Sequence, residues 1–340
     1  MPRMLTRVLA LAMILLTTTA SAAELRFKVG TLAPDGTPWM DNLYGFLHDI
    51  EAKSPTPVKF VTYPGGVMGD EPDLVRKLKF NQLQVIAVTV AGLAQLVPET
   101  LVLSLPFLFN SHEEIDYVVE KMTPVFEQKA KERGFELIGL GDNGWINIYS
   151  KNRFNTLDEL RQQKVWMWNG NPLELMFFEA LGINGHPVGV PEVLIGLQTG
   201  LLDTIMTSST GVVALQWNTE LRYQHQLQLR YEPGGVIASK RAWDKIPAAQ
   251  RAAYDKVVDD MVEKWFVPFK KKNRDDERMM TEMMAKNGVE FVEWSPAEID
   301  KLRTEAHKVW DRATKELFAP EILTMVQQHL KEFRASHGSH

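Results

Sequence analysis

From about residue 25 onward, short apolar runs alternate with longer stretches in which apolar residues recur every three or four positions. Residues two apart share a strand face and residues three or four apart share a helix face, so the alternation predicts strand, helix, strand, helix. "LRFKVGTLA" (25–33), "PVKFVTYPG" and "LQVIAVTVAG" predict strands, and "TPWMDNLYGFLHDIEAKS" (37–54) predicts a helix with Thr37 as cap and Pro38 in its first turn. "DEPDLVRKLKF" (70–80) opens on Asp70 as a second cap and sets Leu74, Val75 and Leu78 on one face. A helix from Ser111 to about Glu132 and the strand "FELIGLGDNG" close this first run.

The order repeats after Trp145, with "KVWMW" as a strand, "PLELMFFEALG" as a helix closed by Gly182, "PEVLIGLQTGL" as a helix and "LDTIMTS" following it. Alternating strands and helices predict βαβ units and parallel sheets. The two runs match in pattern, which predicts an α/β protein of two lobes. The chain crosses between them near 141–150 and again near 227–239. Lobe I is expected to hold 24–143 with about 232–260, and lobe II 144–231 with about 285–335. Residues 247–287 read as one long helix, roughly 60 Å at ~1.5 Å per residue, long enough to span both lobes, with Pro268 expected to kink or break it.

Residues 1–23 fit none of this. Arg3 and Arg7 precede the apolar run "VLALAMILL", and small residues follow it up to Ala22 and Ala23, the pattern of a secretory signal peptide cleaved near either alanine. The apolar run is shorter than the ~20 residues that span a bilayer. Export to the periplasm as a soluble protein is the expectation. The 340-residue chain has no cysteine, so it has no disulfide, cysteine nucleophile or thiolate metal site. Loss of Arg3 and Arg7 moves the formal charge from −5 to −7, which gives no electrostatic reason to expect nucleic acid or an anionic membrane as partner.

Motifs for chemistry are mostly missing. There is no G-x-S-x-G elbow, and Ser209, His186 and Asp203 would make a triad only if the fold happened to assemble them. No two internal histidines have metal-ligand spacing, and "PGGVMGDE" (64–71) lacks the order of a phosphate loop and reads as a turn leading to Asp70. No metal or cofactor is expected, and a binding protein is favoured over an enzyme.

Ligands of open α/β sheets sit beyond the carboxyl ends of strands and prefer domain interfaces. The residues falling there include Trp39, Thr89, Asn143, Trp145, Trp166, Trp168, Asn169, Thr207 and Ser208. They are aromatic, amide and hydroxyl groups, with no acid pair, histidine or obvious cation among them. Trp166 and Trp168 alternate in one strand and so share a face, which serves equally as core packing or as the wall of a site. Trp217, Trp243, Trp265, Trp294 and Trp310 lie within helical or strand patterns and read as core.

"GTLAPDGTPWM", "YPGGVMGDEPDLVRKLKFNQLQ", "LPFLFNSHEEID", "GLQTGLLD" and "ASKRAWDKIPAAQRAAYDK", in this order, resemble the solute-binding proteins of tripartite ATP-independent periplasmic (TRAP) transporters of the dicarboxylate-binding type. The resemblance implies a two-lobed periplasmic-binding-protein-like α/β fold with crossing hinge strands and a long helix spanning both lobes. It also implies hinge closure on a small organic ligand, and delivery to membrane permease subunits driven by an ion gradient. Proteins of this kind usually carry an I-R-x-P strand whose arginine holds the ligand carboxylate; here "KVWMW" puts Trp166 at that position, and Thr207 stands where an asparagine is usual. Tryptophan cannot replace a planar, permanently charged fork. The expectation is therefore a tryptophan-walled cleft for a ligand more hydrophobic than a dicarboxylate, or for a cation held against indole faces. A monocarboxylate held by other cleft groups, and an exported interaction protein that transports nothing, are the alternatives.

Overall fold

The computed structural model describes residues 24–168 and 170–337; the expected signal segment and Asn169 lie outside them. The first run gives β1 (Leu25–Thr31), α1 (Pro38–Lys53), β2 (Val58–Tyr63), α2 (Glu71–Lys79), β3 (Val85–Thr89), α3 (Val90–Ala94) and α4 (His112–Glu132). A long strand, β4 (Phe135–Ser150), leads into α5 (Leu157–Leu160), β5 (Trp166–Trp168), α6 (Pro172–Leu181), β6 (His186–Val188), α7 (Val193–Thr199), β7 (Thr204–Thr207) and α8 (Ser209–Ala214). A second long strand, β8 (Tyr223–Ser239), returns to α9 (Lys240–Trp243), and α10 (Ala248–Lys286), β9 (Glu290–Val292), α11 (Pro296–Glu316) and α12 (Pro320–His337) finish the chain.

Helix starts follow local chemistry. Thr37 Oγ1 accepts the Met40 N–H at the head of α1, Asp70 accepts the Glu71 N–H at the head of α2, and Ser111 accepts the Glu114 N–H at the head of α4. Gly182, at φ 68°, closes α6 in a left-handed conformation that costs glycine little. The expected third strand is shorter than its apolar run, because Thr89 stops it by accepting the Ala91 N–H and starting α3.

The sheet is mixed rather than parallel. Its order is β2-β1-β3-β8-β4-β7, with β9 on β8; β1 pairs parallel with β2 and β3, whereas β8 runs antiparallel to β3 and β4. The antiparallel β4–β8 pair departs from the βαβ expectation, since two strands that cross between halves must return in opposite directions. Phe135–Asp142 pairs with Ser239–Pro233 on the first half, and Trp145–Ser150 pairs with Tyr231–Tyr223 on the second, with a break in register between Asp142 and Trp145. β5 and β6 form a small separate parallel pair, bridged to β7 through Val165 and Thr204.

α10 is unbroken through Pro268. The turn before the proline is fixed to α1, where Trp265 Nε1 donates to Asp49 (2.9 Å) and Phe266 packs edge-on against Phe46 (5.1 Å), and these contacts outweigh the missing hydrogen bond. Farther along, Asn273 donates to the Asp142 carbonyl (2.8 Å) and Arg274 to the Asp142 carboxylate (2.9 Å), so the same helix holds the crossover. α11 lies on α6, but α12 returns to α4, where Arg334 pairs with Glu114 at 2.7 Å.

Candidate functional site

Between the halves is a cavity of about 190 Å³. Each half contributes the ends of its own strands. β1 ends at Thr31 and β3 at Thr89; from the second half come β5, with Trp166 and Trp168, and the β7–α8 junction, with Thr207 and Ser208. Trp39 and Asn143 also face it. The Asn143 amide lies against the sheet because residue 234 is glycine: a Cβ there would stand 2.9 Å from Asn143 Nδ2 and 3.2 Å from the Val88 carbonyl.

Trp166 and Trp168 stack at 6.0 Å, and Trp217 meets Trp166 edge-on at 5.2 Å. The indole N–H of Trp166 donates to the Val188 carbonyl at 3.0 Å. Trp217 is in the core, as expected, and it also lines the cavity, where Gln216 at φ 60° turns the chain back towards β5. Trp39 lines the cavity with its indole N–H buried and without a partner among the described residues.

Trp145 is a correction. It is not on the cavity wall; its indole N–H donates to His112 Nε2 (3.2 Å), and it borders a separate, wider groove beside α10. Asn143 and Trp145, two apart, would share a face in a regular strand. Gly144 at φ 92° and the break in register reverse that alternation. The Ser208 hydroxyl is engaged as the cap of α8, accepting the Gly211 N–H at 3.2 Å. Ser209 hydrogen-bonds Tyr149 and Thr281, and Asp203 accepts from the Lys164 N–H and the Thr204 hydroxyl; neither reaches His186, so no triad is assembled.

The largest departure from the sequence reading is a buried charge cluster in the cleft. Arg230, Glu232, Glu174 and Glu71 all line the cavity, and their fractional exposures are 8%, 6%, 6% and 2%. Arg230 donates through Nη1 to Glu232, and through Nη2 to Glu174 at a long 3.4 Å. Glu174 also accepts the Trp168 N–H at 2.9 Å. Glu71 accepts from the Thr89 N–H (2.7 Å) and hydroxyl (3.0 Å). Burial pushes Glu71 up to about 8 against both of those bonds, and Glu174 up to about 7 against Arg230; Glu232 is raised by the same cause. An acid cluster with one guanidinium was invisible in the linear chain, where the four residues lie in three separate segments.

Asp70 closes the site from the first half. It accepts from the Trp168 indole N–H (3.1 Å) and the Val190 N–H (3.2 Å), both in the second half. Among the described residues no cluster of histidine and carboxylate side chains has a metal-holding arrangement, and no helix is long and apolar enough to cross a membrane.

Two α/β halves joined by a pair of shared strands, with a cavity between strand ends, are the build of a solute receptor. The chain belongs to the bacterial extracellular solute-binding proteins, family 7, whose model matches residues 29–317, the periplasmic receptors of TRAP transporters. It is 23% identical over 229 residues to the C4-dicarboxylate-binding periplasmic protein DctP of Rhodobacter capsulatus, covering 67% of this chain and 68% of that one. A solute-binding protein of Chromohalobacter salexigens is 22% identical over 247 residues, covering 72% and 73% of the two chains. Among solved structures, a TRAP solute-binding protein from Desulfovibrio salexigens with bound orotic acid superposes with a TM-score of 0.83 at 16% identity, over 90% of this chain and 99% of that one. A Bordetella pertussis extracytoplasmic solute receptor binding pyroglutamic acid gives 0.80 at 20% identity, with the same coverage.

Proposed function

We propose that this receptor closes by a hinge on a small organic ligand with a largely apolar body, not a dicarboxylate, and hands it to the permease subunits of a TRAP transporter. The observation that carries this reading is the charge inventory of the cleft. Among the described residues lining the cavity, Arg230 is the one basic side chain, and Glu232 and Glu174 already engage it. A second carboxylate would find no free cation, and desolvating it unpaired is strongly unfavourable. The remaining walls, largely tryptophan and aliphatic, reward apolar area by about 25 cal/mol per Å² buried. In size the cavity exceeds by a little the ~150 Å³ that holds benzene. A ligand of roughly one ring fits.

A monocarboxylate is the second reading, and the long 3.4 Å contact between Arg230 and Glu174 supports it, since an incoming carboxylate could displace Glu174 from that position. The relatives bound to pyroglutamic and orotic acids, each a ring with one carboxyl group, are in keeping with it. Mass spectrometry of the molecule released from the purified protein by denaturation tests both readings. A stoichiometric apolar or aromatic molecule is expected, a monocarboxylic acid selects the second reading, and a C4-dicarboxylate overturns both.

A further inference from the structure

Several polar groups on the cavity wall already have protein partners. The indole N–H of Trp166 donates to the Val188 carbonyl, that of Trp168 to Asp70, and the Ser208 hydroxyl caps α8. Trp39 differs. It stands in the first turn of α1, and its indole N–H is buried with no acceptor among the described residues. An indole nitrogen only donates, so nothing but an acceptor satisfies it. Behind the ring, towards Thr210, Asn273 and Asp276, is a gap of about 10 Å³, at the lower limit of what holds one water. The cavity, at about 190 Å³, is where a partner has room. Two further groups gather at this corner. Thr210 borders the same gap and donates to the Asn143 carbonyl at 3.4 Å, and Gly211 lies so near Thr207 that a Cβ there would stand 3.0 Å from its Oγ1. The Asn143 amide and the Thr207 hydroxyl both line the cavity, and neither makes a hydrogen bond among the described residues.

Resting on the reading above of a ring-sized, largely apolar ligand, we propose that this ligand carries an sp² oxygen, of a carbonyl or a carboxyl group, that accepts the Trp39 indole N–H, with Asn143 and Thr207 beside it. Trp39 then sets specificity. A hydrocarbon of the same shape leaves a buried donor unpaired, and a site built to hydrogen-bond one group rejects the analogue that lacks it. The Asn143 amide and the Thr207 hydroxyl can donate to the second lone pair of that oxygen, or to the second oxygen of a carboxyl group. The contact makes no demand on Arg230, which Glu232 and Glu174 engage, so it serves a neutral carbonyl and a monocarboxylate alike.

The test is calorimetry of the mature protein, unfolded and refolded to strip any resident molecule, with acetophenone, benzoate, ethylbenzene and succinate as probes. Acetophenone or benzoate is expected to bind at least tenfold more tightly than ethylbenzene, and which of the two leads tells a carbonyl from a carboxyl group. Trp39→Phe keeps an aromatic face and removes the N–H; it is expected to bring the leading probe to within about threefold of ethylbenzene. Equal losses for all three aromatic probes in that variant would make Trp39 a packing residue and overturn the proposal. Should Trp39→Phe fail to fold, nitrogen-15 labelling of the tryptophans in the unaltered protein decides. One indole N–H signal is expected to move downfield with the leading probe and not with ethylbenzene, and no such movement overturns the proposal. Ethylbenzene binding as tightly as the other two overturns it while leaving the apolar-ligand reading intact; tightest binding of succinate, or binding of none of the aromatic probes, overturns both.

Discussion

The indole N–H of Trp168 lies 3.1 Å from the carboxylate of Asp70, and the two residues come from opposite halves of the molecule. Trp168 is therefore both part of the cavity wall and part of the contact that joins the halves above it. The Val190 N–H, 3.2 Å from the same carboxylate, doubles the link. Hydrogen bonds to a charged acceptor contribute roughly 1.5–3 kcal/mol each. Asp70→Asn keeps a competent helix cap but removes the charge. It is expected to weaken ligand binding by about tenfold, equivalent to ~1.4 kcal/mol, and to raise the radius of gyration measured by small-angle scattering. An unchanged affinity would show that the link has no part in closure.

Trp166 is 4% exposed and packed between Trp168 and Trp217. Truncating a buried tryptophan to alanine costs about 3–5 kcal/mol. Trp166→Ala is expected to lower Tm by roughly 5–10 °C, given about 2 °C per kcal/mol in a large domain, and to abolish ligand-induced stabilisation. Normal ligand-induced stabilisation in a folded variant would assign Trp166 to the core alone.

Stability should fall as pH rises. Glu71 is raised to about 8 by burial, so the folded state keeps a proton that the unfolded chain loses near 4.5. Its favourable contribution is complete below pH 4.5 and is lost progressively up to about pH 8. Glu71→Gln preserves an acceptor for the Thr89 N–H and is expected to flatten the decline of Tm between pH 5 and about 8. A slope identical to that of the unaltered protein would remove Glu71 from the account.

His225 acts at the acid end. It accepts from the Trp294 indole N–H (3.0 Å), bonds Ser150 (2.9 Å) and stacks on Phe154 (4.1 Å), and burial pushes its pKa down to about 4. The stability that depends on its neutral form is present above 6.5 and is lost as pH falls towards 4. His225→Gln is expected to destabilise the protein at pH 7 yet to reduce its extra loss at pH 4.5, as measured by urea midpoints.

Much of the scaffold was legible in the sequence because it rests on local chemistry. Thr37, Asp70 and Ser111 stand where caps are needed, and the helix pattern at 247–287 was strong enough to survive Pro268. The cleft was legible only in part. Trp166 and Trp168 share a wall as their spacing predicts, but Trp145 turns away because a single left-handed glycine resets the alternation before it. Glu174, Arg230 and Glu232 gave no signal, since charged residues ordinarily face solvent and these meet only once α6 and β8 are packed together.

β4 and β8 run through both halves, so neither half owns a complete sheet. Cutting the chain anywhere near Asp142 would leave each fragment with a frayed edge and half of a hydrogen-bond ladder. The two halves are therefore expected to melt in one transition and to be inseparable as independent modules. Any motion between them is expected to be taken up as twist along these two strands, with α10 braced across the crossover at Asp142 as a torsion bar that limits how far the mouth can gape.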